Sequence, residues 1–426
     1  MSAEPHYAKS TLSNGIRVIT EHMPLVRSVS IGLWVGVGSS HEAADLRGIS
    51  HCIEHMLFKG TRSRSARDIA ELMDSIGGNL NAFTDKETTC YHARVVDDTV
   101  ETTLDLIGDM FLNSVFEPGE LRKEQGVILE EIRMYDDSPE EVAHDLFIRS
   151  VWAGSPLGDP TIGYEKTVSA VTSPAIATYM RERYTPDSIV LTAAGNVDHE
   201  AVVQQAAALF GGLEGAKAGG DPPQPTFVAA NVIRRKDCEQ VYVLFGAEGA
   251  SAKDDRRYPL TLLDTILGGG MASRLFHEIR EKRGLAYSVY SSHTPYRNAG
   301  LMTVSASTSP KHAREVVSLV RQELAKMAAD GVSDAELTRA KQHVKGGLLL
   351  SLESTSTRML RLGRSELNVG RHVAAEEIVQ RIDAVTKAHV DELAASLFAP
   401  ERIALTVLGP VDERLTETSQ ALEASA

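Results

Sequence analysis

Cysteine is scarce in this chain: Cys52, Cys90 and Cys238 are widely spaced and odd in number among 426 residues. That argues against a disulfide framework, is compatible with a reducing compartment, and leaves all three to be read as packing residues. Basic charge is also in deficit. Lys and Arg number 44 against 58 Asp and Glu, a net charge of −14, which disfavours nucleic acid, whose phosphates require a basic surface. The excess acid would favour cationic partners if gathered near a cleft, or serve solubility alone. No apolar run approaches the roughly 20 residues that a membrane span needs. Met1 to Tyr7 lacks a basic segment followed by an apolar one, so no secretory signal is expected and a cytoplasmic setting is the default.

What is present is ordinary globular material, 42% hydrophobic and 24% charged. The length suits two domains of roughly 200 residues each. Gly211 to Pro225, GGLEGAKAGGDPPQP, is rich in Gly and Pro and has no apolar period, as an exposed linker should be. The halves on either side repeat one another. Tyr184-Thr-Pro-Asp-Ser-Ile-Val-Leu191 resembles Phe398-Ala-Pro-Glu-Arg-Ile-Ala-Leu405, and Gly195 and Val197 match Gly409 and Val411 at the same offset of 214. Glu120-Leu121 and Glu336-Leu337 correspond at an offset of 216. A nearly constant shift indicates a duplicated domain; the alternative is chance likeness between two helix-loop-strand units.

The expected division is therefore a domain over 1–212, a linker over 213–227 and a homologous domain over 228–426. Period and turn signals predict strands at Gly15–Glu21 and Val29–Val37, helices near 46–58 and 66–76, and a strand pair across 79–96. Helices follow near 99–113 and 119–136, then a strand at Ile189–Ala194. Such runs point to an α+β fold, two homologous domains each with a mainly antiparallel sheet and helices packed on one face.

Within the first predicted helix lies His51-Cys-Ile-Glu54-His55. Positions i, i+3 and i+4 share a helical face, so His51, Glu54 and His55 project together. The order H-x-x-E-H inverts the commoner H-E-x-x-H and belongs among catalytic zinc patterns. A catalytic zinc keeps three protein ligands and an open position, so a third donor must come from elsewhere. The helix near 119–136 offers Glu124, Glu130 and Glu131. Glu124 and Glu131, two turns apart, share a face, whereas Glu130 is rotated by about 100°. These acids are either stacked metal-site carboxylates or a solvated helix face.

HCIEHMLFKGT, followed by E-x6-E with its second glutamate 76 residues after His55, resembles the pitrilysin/insulinase family of inverzincin metallopeptidases, most closely the short-chain, mitochondrial-processing-peptidase-like branch. The resemblance extends to GGNLNAFTDKETTCYH at 77–92 and GGGMASRLFHEIREKRGLAYSVYS at 268–291. It implies that His51, His55 and Glu131 bind one Zn2+ per chain, that Glu54 is the general base, and that Glu124 orients a ligand histidine. It further implies that the strand Asn79–Thr84 is an exposed edge to which substrate adds, with Asn81 and Ala82 making the main-chain contacts. Phe58 would line the pocket for the residue just past the scissile bond, or simply be core. Glu141 and Asp145 stand where processing peptidases carry acids that recognise an upstream arginine, although Glu141 also suits an ordinary helix N-terminus.

The second half has no H-x-x-E-H, and the positions matching Glu124 and Glu131 hold Ala340 and Gly347, so it cannot bind zinc. It carries instead Arg280 and Tyr287, spaced as in the family, where such a pair contacts substrate and stabilises the oxyanion; the alternatives are a surface ion pair and a plain strand residue. Gly268-Gly269-Gly270 lacks a following Lys-Ser/Thr and is a tight turn or packing point, not a phosphate loop. Because one chain holds both residue sets, the resemblance implies a homodimer with composite sites, Arg280 and Tyr287 acting in trans. The expected function is a zinc-dependent endopeptidase that encloses unfolded or extended peptides in a chamber. The alternatives are a non-catalytic scaffold subunit, or a partner-dependent maturase of one dedicated peptide.

Overall fold

Val29, Ile31, Leu33 and Val35 alternate with Ser30, Gly32 and Trp34, a period of two that gives one strand two distinct faces. In the computed structural model, which describes residues 6–215, 220 and 222–411, they form β3 (Ser28–Val35) inside a six-stranded sheet. Its other strands are β1 (His6–Thr11), β2 (Arg17–His22), β4 (Asn79–Thr84), β5 (Thr89–Val96) and β6 (Ile189–Gly195), in the order β1-β2-β6-β3-β5-β4. All neighbours are antiparallel except β2 and β6. The four helices that follow β3, α1 (Ile49–Leu57), α2 (Ala66–Ser75), α3 (Val100–Asn113) and α4 (Pro118–Asp137), bury Ile53, Ile69, Leu104 and Ile128 against the Val29/Ile31/Leu33/Val35 face. Element positions agree with the sequence periods to within a few residues. β1 is not among the predicted strands, because its His6–Thr11 run is polar and half-exposed and gives no strand signal.

The second sheet joins β7 (Asn231–Arg235), β8 (Val241–Glu248), β9 (Ala286–Pro295), β10 (Gly300–Thr308) and β11 (Ala404–Gly409) in the order β7-β11-β8-β10-β9. That is the β2-β6-β3-β5-β4 order again, with the single parallel pair in the same place. The repeat reaches the turns: the Val197 N–H donates to the Gly195 carbonyl and the Val411 N–H to the Gly409 carbonyl, both at 2.9 Å, each glycine having a positive φ. The duplication seen in the sequence is thus a duplication of topology.

Two compact units result, and neither is a continuous stretch of chain. The first comprises the described residues of Met1–Arg133, Asp159–Pro223 and Ser351–His372; the second those of Met134–Gly158, Gln224–Leu350 and Val373–Ala426. The helix Thr355–Val369, from the second half of the sequence, covers the Trp34 face of the first sheet, where Met359 and Leu362 bury against Trp34, Val190 and Ala194. Reciprocally, α5 (Pro139–Val151), from the first half, sets Ala143, Phe147 and Val151 against Leu244, Ala404 and Leu408 of the second sheet. Both helices are capped by a serine, Ser138 and Ser354, whose hydroxyl accepts an N–H from the third helical residue. Each sheet makes room at a matching glycine. A Cβ on Gly32 would lie 2.5 Å from Met359 Sδ, and one on Gly246 would lie 2.3 Å from Phe147 Cζ.

The described residues of 213–227 carry neither helix nor strand, while 216–219 and 221 of that expected linker, like Met1–Pro5 of the segment read for a signal, lie outside the described residues. Among the described residues no helix is long and apolar enough to cross a membrane. Cys52 and Cys90 are buried, as packing residues should be; Cys238 is not, since it sits half-exposed in the turn before β8 with its thiol towards the Gln240 carbonyl.

Candidate metal centre

The centre is built on α1, whose apolar side (Cys52, Ile53, Met56, Leu57) is buried in the first core and leaves His51, Glu54 and His55 on the other side. The helix starts after Gly48, held at φ 94°, and its free N–H groups are met by a side chain from the preceding loop. The Glu42 carboxylate accepts from the Gly48 and Ser50 N–H groups, each at 2.8 Å. Burial pushes Glu42 up to about 7 against the pull of those donors. Glu42 lies outside any motif and only the folded chain reveals it.

Glu131, on α4, comes to the two imidazoles. Its Oε2 lies 3.8 Å from His51 Nε2 and 3.9 Å from His55 Nε2, and one ligand atom from each residue falls within 4.8 Å of the others. Donors about 2.0–2.1 Å from a tetrahedral zinc are roughly 3.4 Å apart, so each Glu131–imidazole separation exceeds that by about half an ångström. Side-chain exposures of 13%, 22% and 27% for His51, His55 and Glu131 leave the group reachable from solvent. Burial, with His55 adding to it, pushes His51 down to about 4, which keeps its imidazole neutral and its lone pair available near neutral pH. Two imidazoles and one carboxylate suit zinc. Among the described residues no other group of three such side chains is gathered this closely.

The remaining residues take distinct places. Glu124 is buried, with Oε2 3.2 Å from His55 Nδ1 and Oε1 2.8 Å from Lys59 Nζ. Glu54 accepts a hydrogen bond from Thr84 Oγ1 at 2.5 Å; burial raises its pKa while the Thr84 bond and His55 oppose the rise. Thr84 ends β4, which among the described residues pairs only with β5 and so has one free edge. There Asn81 is exposed and its Oδ1 accepts from the Ala82 N–H at 2.8 Å. Phe58, at the C-terminal end of α1, is partly buried against the first core. Thr84 and Lys59 escaped notice in the sequence, although Lys59 stands four residues after His55, a spacing that brings helical side chains together.

Glu141 and Asp145 are both exposed on α5, within the second unit. The same unit brings Arg280 and Tyr287 together. The Arg280 guanidinium lies 4.8 Å from the centroids of both the Phe276 and Tyr287 rings, and Tyr287 is 80% exposed near the start of the edge strand β9. The i, i+4 spacing of Phe276 and Arg280 was the unused signal for the first of those contacts. At the glycine run, a Cβ on Gly268 would meet the Ser291 backbone nitrogen at 2.3 Å, a close packing point. The helix Asp334–Ser351 presents Ala340 and Gly347 where α4 has Glu124 and Glu131.

Comparison with known proteins agrees with this division. The insulinase (peptidase family M16) profile matches residues 17–165, and that of the peptidase M16 inactive domain matches 170–344. The chain is 41% identical over 400 residues to the uncharacterized zinc protease YmxG of Bacillus subtilis, covering 94% of this chain and 97% of that relative. To the uncharacterized zinc protease ML0855 of Mycobacterium leprae it is 42% identical over 415 residues, covering 96% and 93%. In fold it is similar to a peptidase M16 inactive-domain structure from Pseudomonas fluorescens, at a TM-score of 0.89 with 20% identity over 95% of this chain and 98% of that one. A protease from Helicobacter pylori is similar at 0.88, with 21% identity over 95% and 100%. Sequence identity over nearly the whole length, together with both domain profiles in order, makes this chain a member of the insulinase (M16) family of peptidases.

Proposed function

We propose that the protein is a zinc-dependent endopeptidase acting on unfolded or extended peptides. The observation that carries this is the convergence of His51, His55 and Glu131 on one small volume, with the Glu54 carboxylate on the same helical face. A zinc ion held by those three residues supplies a Lewis acid that polarises a carbonyl and acidifies water. Glu54, anchored by Thr84 and raised in pKa by burial, takes the proton from the attacking water and returns it to the leaving amine. The free edge of β4 accepts an extended peptide as a further strand, Asn81 and Ala82 lending their main chain and Phe58 a side-chain wall. Edge addition needs an extended substrate, so a folded protein is a poor one.

Arg280 and Tyr287 contribute cationic and phenolic donors for the oxyanion. Their pairing, with Tyr287 80% exposed on an edge strand, suits a role offered to a second copy, hence a homodimer with sites completed in trans. Glu141 and Asp145, exposed one turn apart, are the acids for a basic side chain upstream of the cut. Three free thiols accord with a cytoplasmic setting. A scaffold role has no use for a complete donor set, and a dedicated maturase would differ only in the range of peptides it cleaves.

Two experiments test this. Purified protein should hold one zinc per chain, and His51→Ala should lose it while staying folded. A well-folded wild type that refuses zinc ends the proposal. Mixing inactive Glu54→Gln with Tyr287→Phe protomers should restore part of the cleavage rate; no recovery after confirmed subunit exchange places the site within one chain.

A further inference from the structure

His51 and His55 are held differently. His51 Nδ1 is buried with no hydrogen-bond partner among the described residues, so no hydrogen bond orients that ring from its Nδ1 side. His55 Nδ1 meets the Glu124 carboxylate, and that carboxylate meets the Lys59 ammonium through its other oxygen. A line of contacts runs from His55 to Glu124 to Lys59, with distances of 3.2 and 2.8 Å. Glu124 is only 6% exposed, whereas the Lys59 side chain keeps 30% of its surface. A carboxylate buried to that degree is costly without a cation. Among the described residues Lys59 is the one Lys or Arg paired with it, and nothing in the proposed reaction uses Lys59.

We propose that Lys59 is a positioning residue for the metal centre: it fixes the Glu124 carboxylate so that its second oxygen accepts the Nδ1–H of His55, leaving Nε2 as the lone-pair nitrogen turned towards Glu131. The chemistry follows from the ring. A neutral imidazole has one N–H and one lone pair, and whichever nitrogen donates to the carboxylate leaves the other free to bind a metal. Glu124 can play this part only while it is held in place, and a carboxylate with one oxygen unanchored turns about its terminal bond. Lys59 reaches it from the turn that closes α1, where the Lys59 N–H bonds to the Met56 carbonyl. The clamp and the ligand therefore belong to one short segment of chain. The segment's geometry sets both.

This inference rests on the zinc reading above, and the test separates the two. Zinc dissociation constants would be measured by competition with a chromogenic chelator on the full chain: wild type, Lys59→Met, Lys59→Arg, Glu124→Gln and the Lys59→Met/Glu124→Gln double variant. Partners that orient ligand histidines change metal affinity by roughly 10- to 100-fold. Lys59→Met should weaken zinc within that range, Lys59→Arg should recover most of the loss, and Lys59→Met should add little once Glu124→Gln is present. In the metal-free protein, nitrogen NMR of His55 should show Nδ1 protonated in wild type and Lys59→Arg, and a mixture of tautomers in Lys59→Met. Wild-type affinity in Lys59→Met, fully additive losses, or an unchanged His55 tautomer would each overturn the clamp while leaving the zinc site standing. Absence of zinc binding by the wild type would overturn both. If Lys59→Met does not fold, Lys59→Gln, which keeps most of the aliphatic stem, is put through the same measurements.

Discussion

Glu54→Gln should remove peptide cleavage and leave zinc bound. The side chain keeps its shape, and its amide oxygen can still accept from Thr84 Oγ1, so α1 and the two imidazoles stay where they are. What is lost is the capacity to take a proton. General-base catalysis contributes roughly a hundred- to ten-thousand-fold, and the rate should fall by about that factor. Initial rates on a fluorogenic peptide, with zinc content measured on the same sample, check both halves of the expectation. Turnover within about threefold of wild type would take Glu54 out of the reaction. The sign of the pH effect follows from the same residue. Burial holds the Glu54 pKa above its ordinary 4.5, and the reaction needs the ionised form. Wild-type activity should therefore decline with acid earlier than a solvent-exposed glutamate would dictate.

Phe147→Ala is expected to lower stability by about 3–5 kcal/mol, the usual cost of emptying a buried aromatic site. Phe147 is completely buried where α5 meets the second sheet, and its Cζ sits over Gly246. Gly246→Ala alone should cost about 1–3 kcal/mol by overpacking, because the new methyl would press on that ring and on the Met302 carbonyl. The double variant Gly246→Ala/Phe147→Ala should lose less than the two single losses added, since the methyl then enters vacated space. Chemical unfolding of all three checks this. A Phe147→Ala loss below about 1 kcal/mol, or simple additivity, would mean that α5 does not bear on the sheet as described.

The parts of this molecule that follow from a local period were legible before folding. The two-residue alternation of β3 and the one-face spacing of His51, Glu54 and His55 are properties of a few neighbouring side chains, and the structure keeps them. The approach of Glu131 to those imidazoles is a long-range event; the sequence supplied its helix and the family resemblance its identity. Glu42, Lys59 and Thr84 were passed over because each acts through contacts that only the folded backbone brings about, and a single Glu, Lys or Thr in a loop or strand end has no distinguishing pattern. The exchange of α5 and the helix Thr355–Val369 was equally silent. Amphipathic spacing says that a helix buries a face, and nothing in it says against which sheet. Gly32 and Gly246, 214 residues apart, were the trace it left, readable only once Met359 and Phe147 were seen above them.

That exchange builds each unit from separate stretches of the chain. The polypeptide passes from one lobe to the other after Arg133, Gly158, Pro223, Leu350 and His372. A protease nick in the Gly/Pro segment cuts one of those five crossings and leaves each unit composed of pieces from both fragments. Nor can either half be transplanted as a cassette, because each would leave behind the helix that roofs its own sheet and carry off one that roofs the other.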